Sequence, residues 1–319
     1  MQPEGLSHGQ QQDLSRYAWL SIAAGIVVFL LKLGAWQLTG SVGLLSDALE
    51  STVNIVAAVV ALVSLKAAAR PGSQRHHFGL SKVEYVSALF EGLMILIAAG
   101  VIIATAIPRL LHPEPIESVA AGVAVSIIAS VVNGAVAWHL MRAGRRHRSI
   151  VLVADAKHLL ADVWTSVGVV VAVVAVALTG WERLDPIIAI CVAANIIVTG
   201  IQLIARSTIG LLDVALPDDE NAQIVEILRG YQTEKVRFHA LQTRESGRQR
   251  FVSMHVLVPG EWSVNRGHDL VEDVEQRIRA ALPGAIVQTH LEPIEDPRAW
   301  SDQPPGGVTV PEEELWSDN

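Results

Sequence analysis

The chain has 319 residues, half of them apolar but only 5% aromatic, and a net charge of −8. The apolar residues are mainly Ala, Val, Ile and Leu, gathered before Leu211, while the last hundred or so residues are far more polar. That asymmetry points to a membrane domain followed by a soluble one. The acidic balance gives no basic footprint for nucleic acid, and a single cysteine, Cys191, excludes an internal disulfide framework. The first fourteen residues are polar and lack a signal-peptide pattern, so insertion is expected to begin with the first membrane helix.

Six apolar runs are long enough to cross a hydrocarbon core, which takes about 20 helical residues. They fall at 17–38, 42–65, 83–107, 118–141, 150–178 and 184–205. Lys66, Arg70, Arg75 and Lys82 lie between the second and third runs, and Arg142, Arg145, Arg146 and Arg148 between the fourth and fifth. The connections on the other side carry little positive charge. The bias predicts that these basic loops, both termini and the soluble domain are cytoplasmic. After Ser207, Leu216-Pro217-Asp218-Asp219-Glu220 reads as a helix start. Strands are predicted at 236–243, 250–258 and 285–291, with a turn at Glu245-Ser246-Gly247 and an amphipathic helix at 264–282. An αββαβ order suits a small α+β domain with its helices on one face of a sheet. The expected organisation is an N-terminal segment 1–15, a six-helix transmembrane bundle 16–207, a small cytoplasmic domain 208–296 and a disordered tail 297–319, rich in Pro, Gly and acids. Two Trp-Ser-Asp triplets in that tail, at Trp300 and Trp316, are expected to be chance.

The polar residues inside the apolar runs carry the chemistry. Ser46-Asp47-Ala48-Leu49-Glu50-Ser51-Thr52-Val53-Asn54 in the second run has the same pattern as Ala154-Asp155-Ala156-Lys157-His158-Leu159-Leu160-Ala161-Asp162 in the fifth. Asp47 matches Asp155, Glu50 matches His158, and Asn54 matches Asp162. Each run places polar groups at i, i+3 and i+7, one helical face. Two such faces meeting would bring Glu50, Asn54, His158 and Asp162 together, a donor set suited to a roughly tetrahedral first-row divalent cation. The alternative is a buried hydrogen-bond network fixing helix register, for which carboxylates at membrane depth are a costly choice. Lys32 is expected to snorkel and Glu91 to pair with it or with another helix; a proton-relay role for Glu91 is the other reading. Asn133 and Asn195 are expected to make interhelical hydrogen bonds. No Gly-x-x-x-x-Gly-Lys-Ser/Thr loop or other nucleotide motif is present, which argues against an ATP-driven pump, and nothing marks the chain as an enzyme.

These paired motifs, together with Leu33-Gly34-Ala35-Trp36 through Thr39-Gly40-Ser41-Val42, His77-Phe78-Gly79 and Gly210-Leu211-Leu212-Asp213 leading to Leu216-Pro217, resemble the cation diffusion facilitator family of divalent-metal/proton antiporters. The resemblance runs from Arg16 to Pro293 and implies a multi-pass homodimer in the cytoplasmic (inner) membrane. It implies Zn2+ or another divalent metal as substrate and as soluble-domain ligand, with iron, manganese, cobalt and cadmium as further candidates, and a ferredoxin-like metallochaperone-type soluble domain. It assigns the transport site to Glu50, Asn54, His158 and Asp162. His158 and Asp162 match the family's zinc-type pair; Glu50 and Asn54 depart from its usual acid or His followed by Asp, which bears on metal identity. Asp47 and Asp155 would orient the ligands, receive the cation on its way in, or serve as alternative ligands. The resemblance also implies a cytoplasmic metal site from His239, His255, His268, His290 and Glu292, and a charge interlock between Lys82 and Asp213. A further family site needs an Asp and two His where this chain has Ser73, His76 and Leu80, so no metal is expected there. A non-transporting metal-sensing or partner subunit is the rival reading.

Overall fold

The computed structural model describes residues 13–39, 42–112, 120–301 and 304–311; the side chains of 38–39, 42–47, 49–50, 120–123, 173 and 177 are outside the description. The chain divides into two compact units that part at Leu211/Leu212.

The first unit is a bundle of six helices, α1 (Ser15–Thr39), α2 (Val42–Ala68), α3 (Val83–Leu111), α4 (Ala120–His147), α5 (Ile150–Thr179) and α6 (Leu184–Leu211). All six are long and apolar enough to cross a membrane. They overrun the predicted spans mainly at the basic ends, where α2, α4 and α6 continue for one or two turns. Lipid offers no hydrogen bonds, so each helix satisfies its backbone internally. The most extensive pairings are α3 with α6, α1 with α2, and α4 with α5. Close approach of α3 and α6 depends on small residues: a Cβ on Gly92 would lie 2.8 Å from Cγ1 of Ile204, and one on Gly200 2.8 Å from Cδ2 of Leu96. α5 is preceded by Ser149, whose extended backbone breaks from α4, and is closed by Gly180 in the left-handed region (φ 67°).

The second unit contains α7 (Asp218–Arg229), β1 (Arg237–Ser246), β2 (Gln249–Val258), α8 (Val264–Ala281) and β3 (Ala285–Pro293). β1 and β2 form an antiparallel hairpin, turned at Gly247 (φ 60°), and β3 joins β2 in parallel through the α8 crossover. Ser263 caps α8 by accepting from the Arg266 N–H at 3.3 Å. Ile224 and Leu228 of α7, Val274 and Ile278 of α8, and Leu282 just after α8 pack with Phe238, Val252, Met254 and Val256 on one sheet face. Burial of each such side chain contributes about 1.5–3 kcal/mol. The other face is left for polar chemistry.

Residues 297–301 and 304–311 differ from the disordered tail expected. Pro297–Trp300 forms a short 3-10 helix, Val308 donates its N–H to Leu241 O at 2.7 Å, and Val310 is buried in the core. β1 is an edge strand, and the tail's two valines cover its exposed backbone and extend the apolar core, compensating for a composition that alone would disfavour order. Trp316 and residues 1–12 lie outside the described residues.

Candidate metal centres

In the bundle, α2 and α5 meet. Asn54 on α2 bridges His158 and Asp162 on α5: its Nδ2 donates to Asp162 Oδ2 at 2.5 Å, and its Oδ1 lies 2.9 Å from His158 Nε2. The i, i+4 spacing sets both α5 groups on one face, one turn apart. Asn133 of α4 reaches the same carboxylate oxygen at 3.5 Å, so a third helix contributes. Of the four expected transport ligands, the structure thus brings three together. The Glu50 and Asp47 side chains lie outside the described residues. Asp155, 1% exposed, accepts from Ser21 Oγ of α1 at 3.0 Å, a partner with no sequence signal beyond a hydroxyl in an apolar run.

These atoms can hold a cation. A neutral imidazole, an amide oxygen and a carboxylate offer an N,O,O set for a first-row divalent ion, which would replace the hydrogen bonds that now join them.

In the soluble unit the strand register assembles a second cluster. His239 stands opposite His255 across β1 and β2, and His255 opposite His290 across β2 and β3. The three imidazoles form a cross-strand row, with ring centroids 5.1 and 5.2 Å apart. Glu292, two residues beyond His290 and on the same face, is buried beneath the row. Its Oε2 lies 3.1 Å from His239 Nε2 and 3.3 Å from His255 Nδ1, and its Oε1 lies 3.5 Å from His290 Nε2. Ligand atoms of His239, His255 and Glu292 all fall within 4.8 Å of one another. The imidazole–carboxylate set fits zinc or a neighbouring first-row ion and is too nitrogen-rich for calcium or magnesium. His290 is the open side of the cluster, its side chain 67% exposed. His268 is exposed on α8 and does not belong to the group gathered among the described residues. α8 packs on the opposite sheet face, which is why a helix histidine does not join the strand histidines.

Trp300 is an unforeseen neighbour. Its ring lies 5.9 Å from that of His239, and its Nε1 donates to Ile294 O at 3.0 Å. The turn that presents it is held by Arg298 on Asp296, whose hydrogen bonds bring the Asp296 carboxyl down to about 2.

The expected partners Lys82 and Asp213 each have a contact within their own unit. Lys82 Nζ donates to Leu211 O at the end of α6, at 3.2 Å, and Asp213 accepts from Arg244 at 3.0 Å. Among Ser73, His76 and Leu80, backbone hydrogen bonds between Ser73 and His76 close a tight loop, and all of 71–78 is exposed.

Residues 18–212 match the cation efflux transmembrane domain, and residues 216–294 match the cytoplasmic domain of cation efflux proteins. The chain belongs to the cation diffusion facilitator family. It is therefore a multi-pass membrane transporter of cations. An uncharacterized transporter of Synechocystis, sll1263, is 52% identical over 284 residues, covering 89% of this chain and 92% of its own. The cation-efflux pump FieF of Klebsiella pneumoniae is 30% identical over 280 residues, covering 88% of this chain and 93% of its own. A solved structure of CzrB in its Zn form is 31% identical, covering 26% of this chain and 93% of that one, with a TM-score of 0.23.

Proposed function

We propose that this cation efflux protein exports a divalent first-row metal, zinc first among them, from the cytoplasm in exchange for protons. The convergence of Asn54, His158 and Asp162 at the α2–α5 contact carries the reading. Glu50, four residues before Asn54 on the same helix, is the fourth donor. Metal binding needs a neutral imidazole and ionised carboxylates, so protons and metal compete for one set of atoms. An imidazole titrates near pH 6.5 in water, within the range an organism can use. Because α2 and α5 pair mainly with other helices, relative movement of the two would take the donors apart and together, which suits alternating access.

Zinc is favoured by His158 and by the histidine-rich sheet cluster. Glu50 and Asn54 leave iron, manganese, cobalt and cadmium as competitors, because an amide is a weaker, neutral ligand. The sheet cluster holds a resident metal in this reading: His239 and His255 would bind it, Glu292 would supply the charge, and His290 would complete the set. The soluble domain makes the dimer, and the positive charge of the loops favours a cytoplasmic position for it and for both termini.

The test is zinc binding and uptake by the full chain in detergent and in proteoliposomes. His158→Ala and Asp162→Ala should abolish uptake while leaving metal at the sheet cluster. Uptake that survives both substitutions would sink the reading. Binding at the sheet cluster with no uptake by the native chain would favour a metal-sensing subunit instead. Competition by iron, manganese, cobalt and cadmium then ranks the substrates.

A further inference from the structure

Two glutamates on α3, seven residues apart and so on one face, are both fully buried, but they are treated differently. Glu84 accepts from Ser149 Oγ at 2.8 Å and so ties the start of α3 to the cap of α5. Glu91 has no hydrogen-bond partner at either carboxylate oxygen. Its expected partner Lys32 is on α1, which packs on α2 and α4 rather than on α3, and no pair forms. One turn before it, Ser87 Oγ is also buried without a partner.

The surroundings of Glu91 are apolar. Tyr85, Ala88, Ile95 and Ala99 of α3 pack with Ala154 and Ala161 of α5 and with Ala193, Ile196 and Leu203 of α6. Of the elements packed on α3, only α5 supplies a charge that acts on Glu91 among the described residues, and that charge is Asp155. Asp155 has one oxygen on Ser21 and the other, Oδ2, without a partner. A group that only fixed helix register would show the bond that fixes it, as Glu84 does. Orphaned buried polar atoms in a native protein call for another explanation. A lone ionised carboxylate in such a place is very costly, and a second negative charge on the neighbouring helix adds to the cost, whereas two carboxyls that share one proton are tolerated.

We propose that Glu91 is a proton-carrying residue of the transport cycle, holding one proton jointly with Asp155 on the α3–α5 seam beside the α2–α5 metal site. This inference rests on the proton-coupled reading above and adds a group outside the metal's own ligands. The step is a simple transfer: an O–H bond breaks at one carboxyl and forms at the other, and the proton that leaves the pair for solvent is replaced from solvent on the opposite side. Asp155 is three residues before His158, so it lies one turn from the cation and feels its charge. A divalent ion arriving there favours release of the shared proton, and its departure favours reloading.

The experiment compares the native chain with Glu91→Gln and Glu91→Asp in proteoliposomes loaded with a pH dye, using zinc as the probe. Calorimetric zinc binding in detergent is read on the same preparations. Glu91→Gln keeps shape and volume but cannot release a proton. It should still bind zinc, with an affinity that varies less with pH, while protons moved per zinc fall by about one and the pH dependence of uptake flattens; Glu91→Asp should restore part of both. Unchanged proton movement in Glu91→Gln would overturn the inference. So would loss of zinc binding, which would make Glu91 a ligand or a structural group. If the native chain itself takes up zinc without moving protons, the proton-coupled reading fails first, and the inference falls with it.

Discussion

The bundle trio Asn54, His158 and Asp162 and the sheet cluster His239, His255 and Glu292 use similar chemistry on opposite kinds of support. The trio spans two helices that pack mainly on other partners, so its donors are joined by hydrogen bonds that a shift of either helix would break. The cluster sits on three hydrogen-bonded strands whose register fixes each imidazole beside the next. A site meant to release its ion every cycle is better built the first way, and a site meant to keep one the second. On the proposed function, the difference in support separates the transported metal from the resident one.

The largest expected effect is Asp162→Ala, which removes the carboxylate that Asn54 and Asn133 both reach. Zinc uptake by proteoliposomes should fall to that of protein-free vesicles, while the number of zinc ions held by the sheet cluster stays the same. Loss of metal at both places would break the distinction. Next, Glu292→Ala removes the acid shared by three histidines. Zinc affinity of the cluster should fall by more than the roughly 10- to 100-fold that loss of an outer-shell partner costs, with uptake by the bundle reduced far less. Third, Asn54→Asp should reorder zinc, iron, manganese and cobalt in competition assays, because it replaces a neutral amide beside Asp162 with a second carboxylate. An unchanged order would mean that Asn54 does not set metal preference.

Packing gives two smaller tests. Gly200→Leu should lower thermal stability in detergent by about 1–3 kcal/mol through overpacking where α3 and α6 touch, since even a Cβ there meets Leu96. Trp300→Ala should cost about 1 kcal/mol, the scale of a ring pair, and leave cluster stoichiometry intact.

The six spans were legible because length and apolar composition are sufficient to specify a membrane helix, and the repeated spacing in α2 and α5 was legible because helical periodicity is rigid. Register was not. That His239, His255 and His290 form one row depends on strand pairing and on the irregularity after His239, where Ala240 takes a positive φ of 52°. Long-range pairing of this kind leaves no local trace. For the same reason Ser21 could not be matched with Asp155, nor Trp300 with His239. The order of residues 297–301 and 304–311 was hidden because composition predicts mobility, while two valines and an open strand edge outweigh it.

The most direct test of the account is to follow zinc and internal pH together in proteoliposomes holding the native chain, with and without an imposed proton gradient. The account predicts that the gradient drives zinc uptake against its own concentration difference, that zinc entry moves protons the other way, and that Asp162→Ala loses both. Zinc flux indifferent to the gradient, or persisting without the Asp162 carboxylate, would contradict it.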